Sequence, residues 1–140
     1  MQIANVVKTR STCLSSAKGA VLVQDRQIVS TGYNGTPAGT KHCNEGGCAR
    51  CLAVKEGRMK SGTNLDACAC VHSEENAIVQ AAKNGISTAG GTLYCTHSPC
   101  TFCSKTIINA GIKKVVASSS YPDQLGVRLM KEAGLQLVIA

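Results

Sequence analysis

Residues 72 to 103 carry two short motifs, His72-Ser73-Glu74 and Pro99-Cys100-Thr101-Phe102-Cys103, whose side chains together make a metal centre with a proton carrier beside it. A catalytic zinc takes three imidazole or thiolate ligands and keeps a fourth position open for water. His72, Cys100 and Cys103 supply three such ligands. Water on such an ion has its pKa lowered toward ~7 from about 15.7, so hydroxide is available at neutral pH. Glu74 lies two residues past His72, close to the metal without being obliged to bind it. A carboxylate so placed takes a proton from water and returns it to a substrate. A CxxC near one His is also the pattern of a structural zinc knuckle, but a structural site has no need of Glu74. The spacing therefore predicts a hydrolytic metalloenzyme.

Two helix starts must bring these groups together. The stretch from Glu74 to Gly85 reads as a helix, with acids in its first turn, Lys83 near its end, Gly85 as C-cap and a stripe of Ala77, Ile78, Ala81 and Ala82. Pro99 is expected to open a second helix through Ala110, stopped at Gly111, with Cys100 and Cys103 on one face of its first turn. The positive ends of both helix dipoles favour thiolate and carboxylate. Around them a short helix is expected at Ile3 to Thr9 and strands at Gly19 to Gln24 and Gln27 to Thr31, joined by a tight turn at Asp25-Arg26. Further strands are expected at Gly91 to Thr96, Lys113 to Ser118 and Leu135 to Ile139, with a helix from Pro122 to Ala133. Strand–helix alternation in the second half implies parallel strands, and the opening hairpin is antiparallel. The result is an α/β fold, a five-stranded mixed sheet with helices on both faces. Gly35 to Gly62 reads as a loop without clear period.

At 140 residues, one domain spanning residues 1–140 is expected. No apolar run approaches a membrane span, and Met1 to Arg10 lacks the apolar core of a secretory signal, so no membrane partner and a reducing, cytoplasmic setting are expected. Nine cysteines in such a setting point to metal rather than disulfides. Cys43, Cys48, Cys51, Cys68 and Cys70 cluster in and after the loop, with Cys13 apart; a second, structural zinc closed by four of these thiolates would hold a segment too polar to make its own core. Which four remains open at this point, and small buried hydrophobes are the alternative. Cys95, inside a strand, is expected only to pack. The formal charge of +7 admits nucleic acid or a phosphorylated small molecule; four thiolates on one zinc would reduce it to about +5. Tyr33, Tyr94, Tyr121 and Phe102 are the only aromatic residues, poor material for stacking successive bases, so nucleic acid is not expected as a partner, and a small phosphorylated substrate explains the charge equally well.

The chain resembles the deoxycytidylate (dCMP) deaminases of the cytidine deaminase-like superfamily over nearly its whole length. The resemblance rests on Arg10-Ser11-Thr12-Cys13, Gly32-Tyr33-Asn34-Gly35-Thr36-Pro37, His72 to Ile78, Ser98 to Cys103 and Ala110-Gly111-Ile112-Lys113, in the family's order. HxE and PCxxC are shared by many zinc nucleobase deaminases; the GYNG segment narrows the resemblance. It implies the three-layer αβα fold, catalytic zinc on His72, Cys100 and Cys103, and Glu74 as the proton shuttle. It further implies hydrolysis of dCMP to dUMP and ammonia, supplying thymidylate synthesis. Asn34 matches the sugar-contacting position, Tyr121 falls where relatives place an aromatic near the nucleotide, and Ser73, inside the first motif, and Ser98, just before the second, are further substrate-binding positions. A second zinc would use Cys13 and Cys43 with two of Cys48, Cys51, Cys68 and Cys70. A homohexamer, activated by dCTP and inhibited by dTTP at a site formed partly by Gly32, Tyr33 and Gly35, is also implied. Ser73 departs from the family, where Ala is usual. Lys83 stands where some relatives carry a regulatory Arg.

Two other classes compete with this expectation: a deaminase of another cytosine or adenine substrate, free or in RNA, and a non-catalytic zinc module that binds nucleotides. For the phosphate, Arg10, Ser15, Lys18 and Lys83 are the candidates.

Overall fold

The computed structural model describes residues 1–120 and 123–140. The chain runs α1 (Gln2–Val7), β1 (Gly19–Gln24), β2 (Gln27–Tyr33), α2 (Ala49–Lys55), α3 (Ser73–Lys83), β3 (Thr92–Cys95), α4 (Thr101–Asn109), β4 (Lys114–Ala117), α5 (Gln124–Glu132) and β5 (Gln136–Ile139). Asp25 and Arg26 both take positive φ, 49° and 64°, as a two-residue turn matching the right-handed strand twist requires. The strands form one sheet in the order β2-β1-β3-β4-β5. β1 pairs antiparallel with β2 and β3, while β3, β4 and β5 run parallel. This is the mixed sheet that the alternation of elements predicts.

Pleating sorts the side chains onto two faces. Leu22, Leu93, Val115 and Leu137 are successive cross-strand neighbours, and they join Ala77 and Ala81 of α3, Cys103 and Ile107 of α4 and Met130 of α5 in one core. α3, α4 and α5 therefore share that face. α1 covers the other: a Cβ at Gly19 would stand 2.3 Å from the Ala4 carbonyl oxygen, whereas one at Gly32 would stand 2.1 Å from the Ser73 carbonyl oxygen. Cys95 is buried in the core, as expected of a packing residue, and with Ala20 and Ala117 it forms a row of small side chains across the sheet. That row leaves room where the starts of α3 and α4 descend toward the sheet.

Three expectations need correcting. Ala82 is exposed and not part of the buried stripe of α3. α4 begins at Thr101 with Cys100 as N-cap, so Pro99 precedes the helix instead of opening it. The segment read as loop contains α2, which buries Arg50, Cys51 and Ala53. Its buried side is made by a cation and a thiol as much as by hydrocarbon, so an apolar period does not reveal it.

Candidate active site

His72 is the N-cap of α3 and Cys100 the N-cap of α4, with Cys103 in the latter's first turn. Two interactions fix the first of these starts. Glu75 Oε2 accepts from the His72 backbone N–H at 3.4 Å, and Val71 is bridged to Gly35, Val71 N–H donating at 2.8 Å and Gly35 N–H donating in return at 3.2 Å. The GYNG segment thus continues β2 into a clamp on the residue before His72. Asn76 donates to the Tyr33 carbonyl at 2.8 Å, and Gln80 accepts from Thr31 N–H at 2.8 Å, stapling α3 along β2.

His72 Nδ1 lies 3.3 Å from Cys103 Sγ and 3.5 Å from Cys100 Sγ, and all three ligand atoms stand within 4.8 Å of one another. A tetrahedral zinc with Zn–N of about 2.0 Å and Zn–S of about 2.3 Å places its N and S ligands ~3.5 Å apart. The donor set and its spacing fit zinc. The Cys103 thiol and the His72 ring beside Cys100 offset its burial and hold it down to about 4, while Cys103 is pushed up by that same neighbour and by burial. Contact with Cys100 raises His72 to about 9. Glu74 is buried, which raises its pKa against the pull of His72. The Ser73 hydroxyl donates to Glu74 Oε2 at 2.8 Å, so this hydroxyl is aimed at the carboxylate.

His72, Ser73, Glu74 and Cys100 line a cavity of about 290 Å³. Asn34, Ser73 and Ser98 line it, as do Ser15 and Lys18. Asn34 Oδ1 accepts from Ser11 Oγ at 2.7 Å and from Lys18 N–H at 2.8 Å, and its Nδ2 donates to the Ser16 carbonyl at 2.8 Å. Much of its hydrogen-bonding capacity therefore holds the 11–18 segment in place. Gly32 lies against the backbone of α3 and Tyr33 is 39% exposed at the end of the edge strand. Arg10 and Lys83 are exposed and do not line the cavity. Tyr121 falls outside the described residues.

Two wall residues were not anticipated. His97 Nε2 lies 2.7 Å from Lys18 Nζ, and burial together with Lys18 keeps its ring below its usual value; its place three residues before Cys100 was the available signal. Arg50 is 7% exposed, lines the cavity and donates through Nε and Nη2 to the Thr63 carbonyl at 3.1 and 2.8 Å. Among the described residues no carboxylate pairs with it. Nothing local in the sequence marks it, because closure of the 35–70 segment is what buries it.

The remaining cysteines gather on one side of the cavity. Cys43, Cys48, Cys51 and Cys70 are buried, with Cys13 and Cys68 packed against them, and all are free thiols. Cys51 Sγ lies 3.6 Å from Cys13, 3.7 Å from Cys68 and 3.9 Å from Cys70. Both {Cys13, Cys43, Cys51, Cys70} and {Cys48, Cys51, Cys68, Cys70} have the proximity of a metal site. The first contains the Cys13 and Cys43 that the resemblance singles out.

Comparison with known proteins agrees with this geometry. Among curated relatives, the deoxycytidylate deaminase of Schizosaccharomyces pombe is 41% identical over 98% of this chain and 41% of its own length. The deoxycytidylate deaminase of Mycobacterium phage D29 is 39% identical over 81% of this chain and 87% of its own. The chain spans about two fifths of the length of the yeast relatives it matches. A solved dCMP deaminase from the cyanophage S-TIM5, in complex with dCMP and dUMP, superposes with a TM-score of 0.79 at 31% identity, covering 99% of this chain and 92% of that one. The profile described as the cytidine and deoxycytidylate deaminase zinc-binding region matches residues 1–119. With that match over most of its length, the chain belongs to the cytidine and deoxycytidylate deaminase family.

Proposed function

We propose that this protein hydrolyses dCMP to dUMP and ammonia. The observation that carries the reading is the buried Glu74 carboxylate lining, with His72 and Cys100 of the His72–Cys100–Cys103 triad, a cavity that admits a small molecule. The cyanophage relative, solved with dCMP and dUMP and similar over 99% of this chain, supports the nucleotide as substrate. Zinc held by the triad supplies Lewis acidity that makes hydroxide available at neutral pH. The chain's own residues do the rest. Ser73 engages Oε2 of Glu74 and leaves the other oxygen to carry the attacking water's protons, the first to N3 of the cytosine as the water oxygen bonds C4 and the second to the amine as the C4–N bond breaks. The balance is dCMP plus water giving dUMP plus ammonia. Lys18 and Arg50, both cationic and both in the wall, are the counter-charges for the substrate's phosphate, and the Asn34 amide keeps one N–H for the sugar. Ser98 and Tyr121 complete the substrate contacts in this reading.

The same reading places a structural zinc among the cysteines beside the cavity. It also extends to a cytoplasmic homohexamer feeding thymidylate synthesis, with dCTP and dTTP acting at the Gly32-Tyr33-Gly35 segment. Among the described residues no helix is long and apolar enough to cross a membrane.

Zinc-loaded protein given dCMP is expected to release dUMP and ammonia in equal amounts. Glu74→Gln should lower kcat by ~10²–10⁴-fold while zinc content is unchanged, because general acid–base transfer contributes about that factor. No dUMP from the loaded wild type, or full turnover by the variant, rejects the reading; deamination of cytidine or RNA in preference to dCMP moves the substrate to another class.

A further inference from the structure

The cysteine cluster contains more sulfur than one ion can use. Its two groups of four share Cys51 and Cys70, so six thiols make two overlapping tetrads instead of one tetrad with bystanders. We propose that Cys13, Cys43, Cys48, Cys51, Cys68 and Cys70 hold two tetrahedral divalent ions of the zinc class, with the Cys51 and Cys70 thiolates bridging between them. Cys13 and Cys43 complete one ion's ligands; Cys48 and Cys68 complete the other's.

The spacing fits. Four sulfurs around a zinc with Zn–S of about 2.3 Å stand ~3.8 Å from one another. Four of the cluster's edges are 3.6 Å (Cys13–Cys51), 3.7 Å (Cys51–Cys68), 3.9 Å (Cys51–Cys70) and 4.0 Å (Cys48–Cys68), and the other pairs within each tetrad lie within 4.8 Å. The Cys51–Cys70 edge is common to both tetrads, which is what bridging demands. A single ion in either tetrad would strand two thiols of the other against it.

Charge bookkeeping does not oppose the second ion. Four thiolates on one dication carry −4 + 2 = −2, and six thiolates on two dications carry −6 + 4 = −2. The second ion only replaces two thiol protons. Backbone donors already point at the terminal sulfurs: Leu14 N–H reaches Cys43 Sγ at 3.4 Å, and Cys51 and Ala69 N–H reach Cys48 Sγ at 3.5 and 3.4 Å. Such bonds orient ligands and stabilise thiolate charge. The site also has a mechanical role. Residues 36–70 contain no strand, only α2 and short 3-10 turns, and the six sulfurs tie this segment to Cys13 on one side and to Cys70, two residues before His72, on the other. Cys13, Cys68 and Cys70 themselves line the cavity, so the cluster forms part of its wall. None of this depends on the proposed reaction.

The test is a metal count on the full chain, isolated from zinc-replete cells and weighed intact by native mass spectrometry. One ion at the triad and two in the cluster give three zinc ions per chain, and His72→Ala should leave two. Cadmium-113 loading should give two resonances in the thiolate-rich region, split by coupling through the shared sulfurs. Cys48→Ser/Cys68→Ser and Cys13→Ser/Cys43→Ser should each cost one ion, whereas Cys51→Ser/Cys70→Ser should cost two. Two ions per chain in the replete wild type, an uncoupled single cluster resonance, or disulfides among the six cysteines overturns the proposal. If the variants do not fold, the wild-type count and spectrum still decide it.

Discussion

Ser73 shows how one hydroxyl changes the task of its neighbour. The Glu74 carboxylate is buried, and a buried carboxylate without donors is costly. Ser73 Oγ supplies one donor at 2.8 Å to Oε2, which lowers that cost and leaves the other oxygen for the proton transfer proposed above. Ser73→Ala removes the donor without opening much space. We expect kcat on dCMP to fall ~5-fold, about one hydrogen bond's worth or ~1 kcal/mol, with zinc content and melting temperature nearly unchanged; steady-state kinetics with metal analysis checks it. The candidate site was legible in the sequence because short motifs set it: Glu74 follows His72 by two residues, and Cys100, the N-cap of α4, stands three residues before Cys103. The hydroxyl's target was not legible, since rotamer and burial, set by packing, decide where a side chain points.

At the scale of elements, the site depends on how closely helices approach the sheet. Gly32 permits α3 to lie on β2, because any Cβ there would stand 2.1 Å from the Ser73 carbonyl oxygen and 2.4 Å from Ala77 N. Backbone cannot swing aside as a side-chain tip can. Gly32→Ala should therefore displace the start of α3, destabilising the fold by ~1–3 kcal/mol as overpacking does and lowering kcat with it; thermal melting and a dCMP assay read both. Asp123 plays a corresponding part for α4. It caps α5 by accepting from Gly126 N–H at 3.1 Å and also accepts from Thr101 N–H and Oγ1, each at 2.6 Å. Two helix starts thus share one carboxylate, next to Cys100. Burial works to raise its pKa, but the Thr101 and backbone donors prevail and hold it below the usual 3.8. A carboxylate held low contributes stability above its ordinary value and loses it as pH falls through the lowered one. Asp123→Ala should cost ~1–2 kcal/mol at neutral pH, the usual worth of such a cap, and should lack the wild type's added loss of stability below about pH 4; acid titrations followed by circular dichroism compare the two. The strands and the three helices around this core were readable from alternation, caps and the glycines after α3 and α4. α2 was not, because what it buries includes Arg50 and Cys51, residues that periodicity counts as polar or ambiguous.

The whole molecule divides into a hydrocarbon core and a sulfur-held flap. The sheet with α3, α4 and α5 buries Leu22, Leu93, Ile107, Val115 and Met130 to 1% exposure or less, so this half is held by apolar burial, with the six-cysteine cluster outside its core. Residues 36–70 have no comparable core; their buried hydrophobes are mostly the cysteines. Stripping zinc with a chelator should accordingly raise amide exchange across 36–70 and leave β1, β3 and β4 protected, as hydrogen–deuterium exchange by mass spectrometry would show; uniform loss of protection contradicts this division. The sequence by itself determined which residues form the candidate site, His72, Glu74, Cys100 and Cys103, and the order of strands and helices, because those follow from local spacing and from period, which a linear chain states directly. Only the tertiary structure decided that six distant cysteines meet as two tetrads sharing a pair, that Arg50 and His97 join Lys18 in the cavity wall, and that the Asn34 amide is mostly engaged in holding the 11–18 segment. These contacts join residues up to 79 positions apart, and loop closure, not local preference, selects among the many pairings that such separations allow.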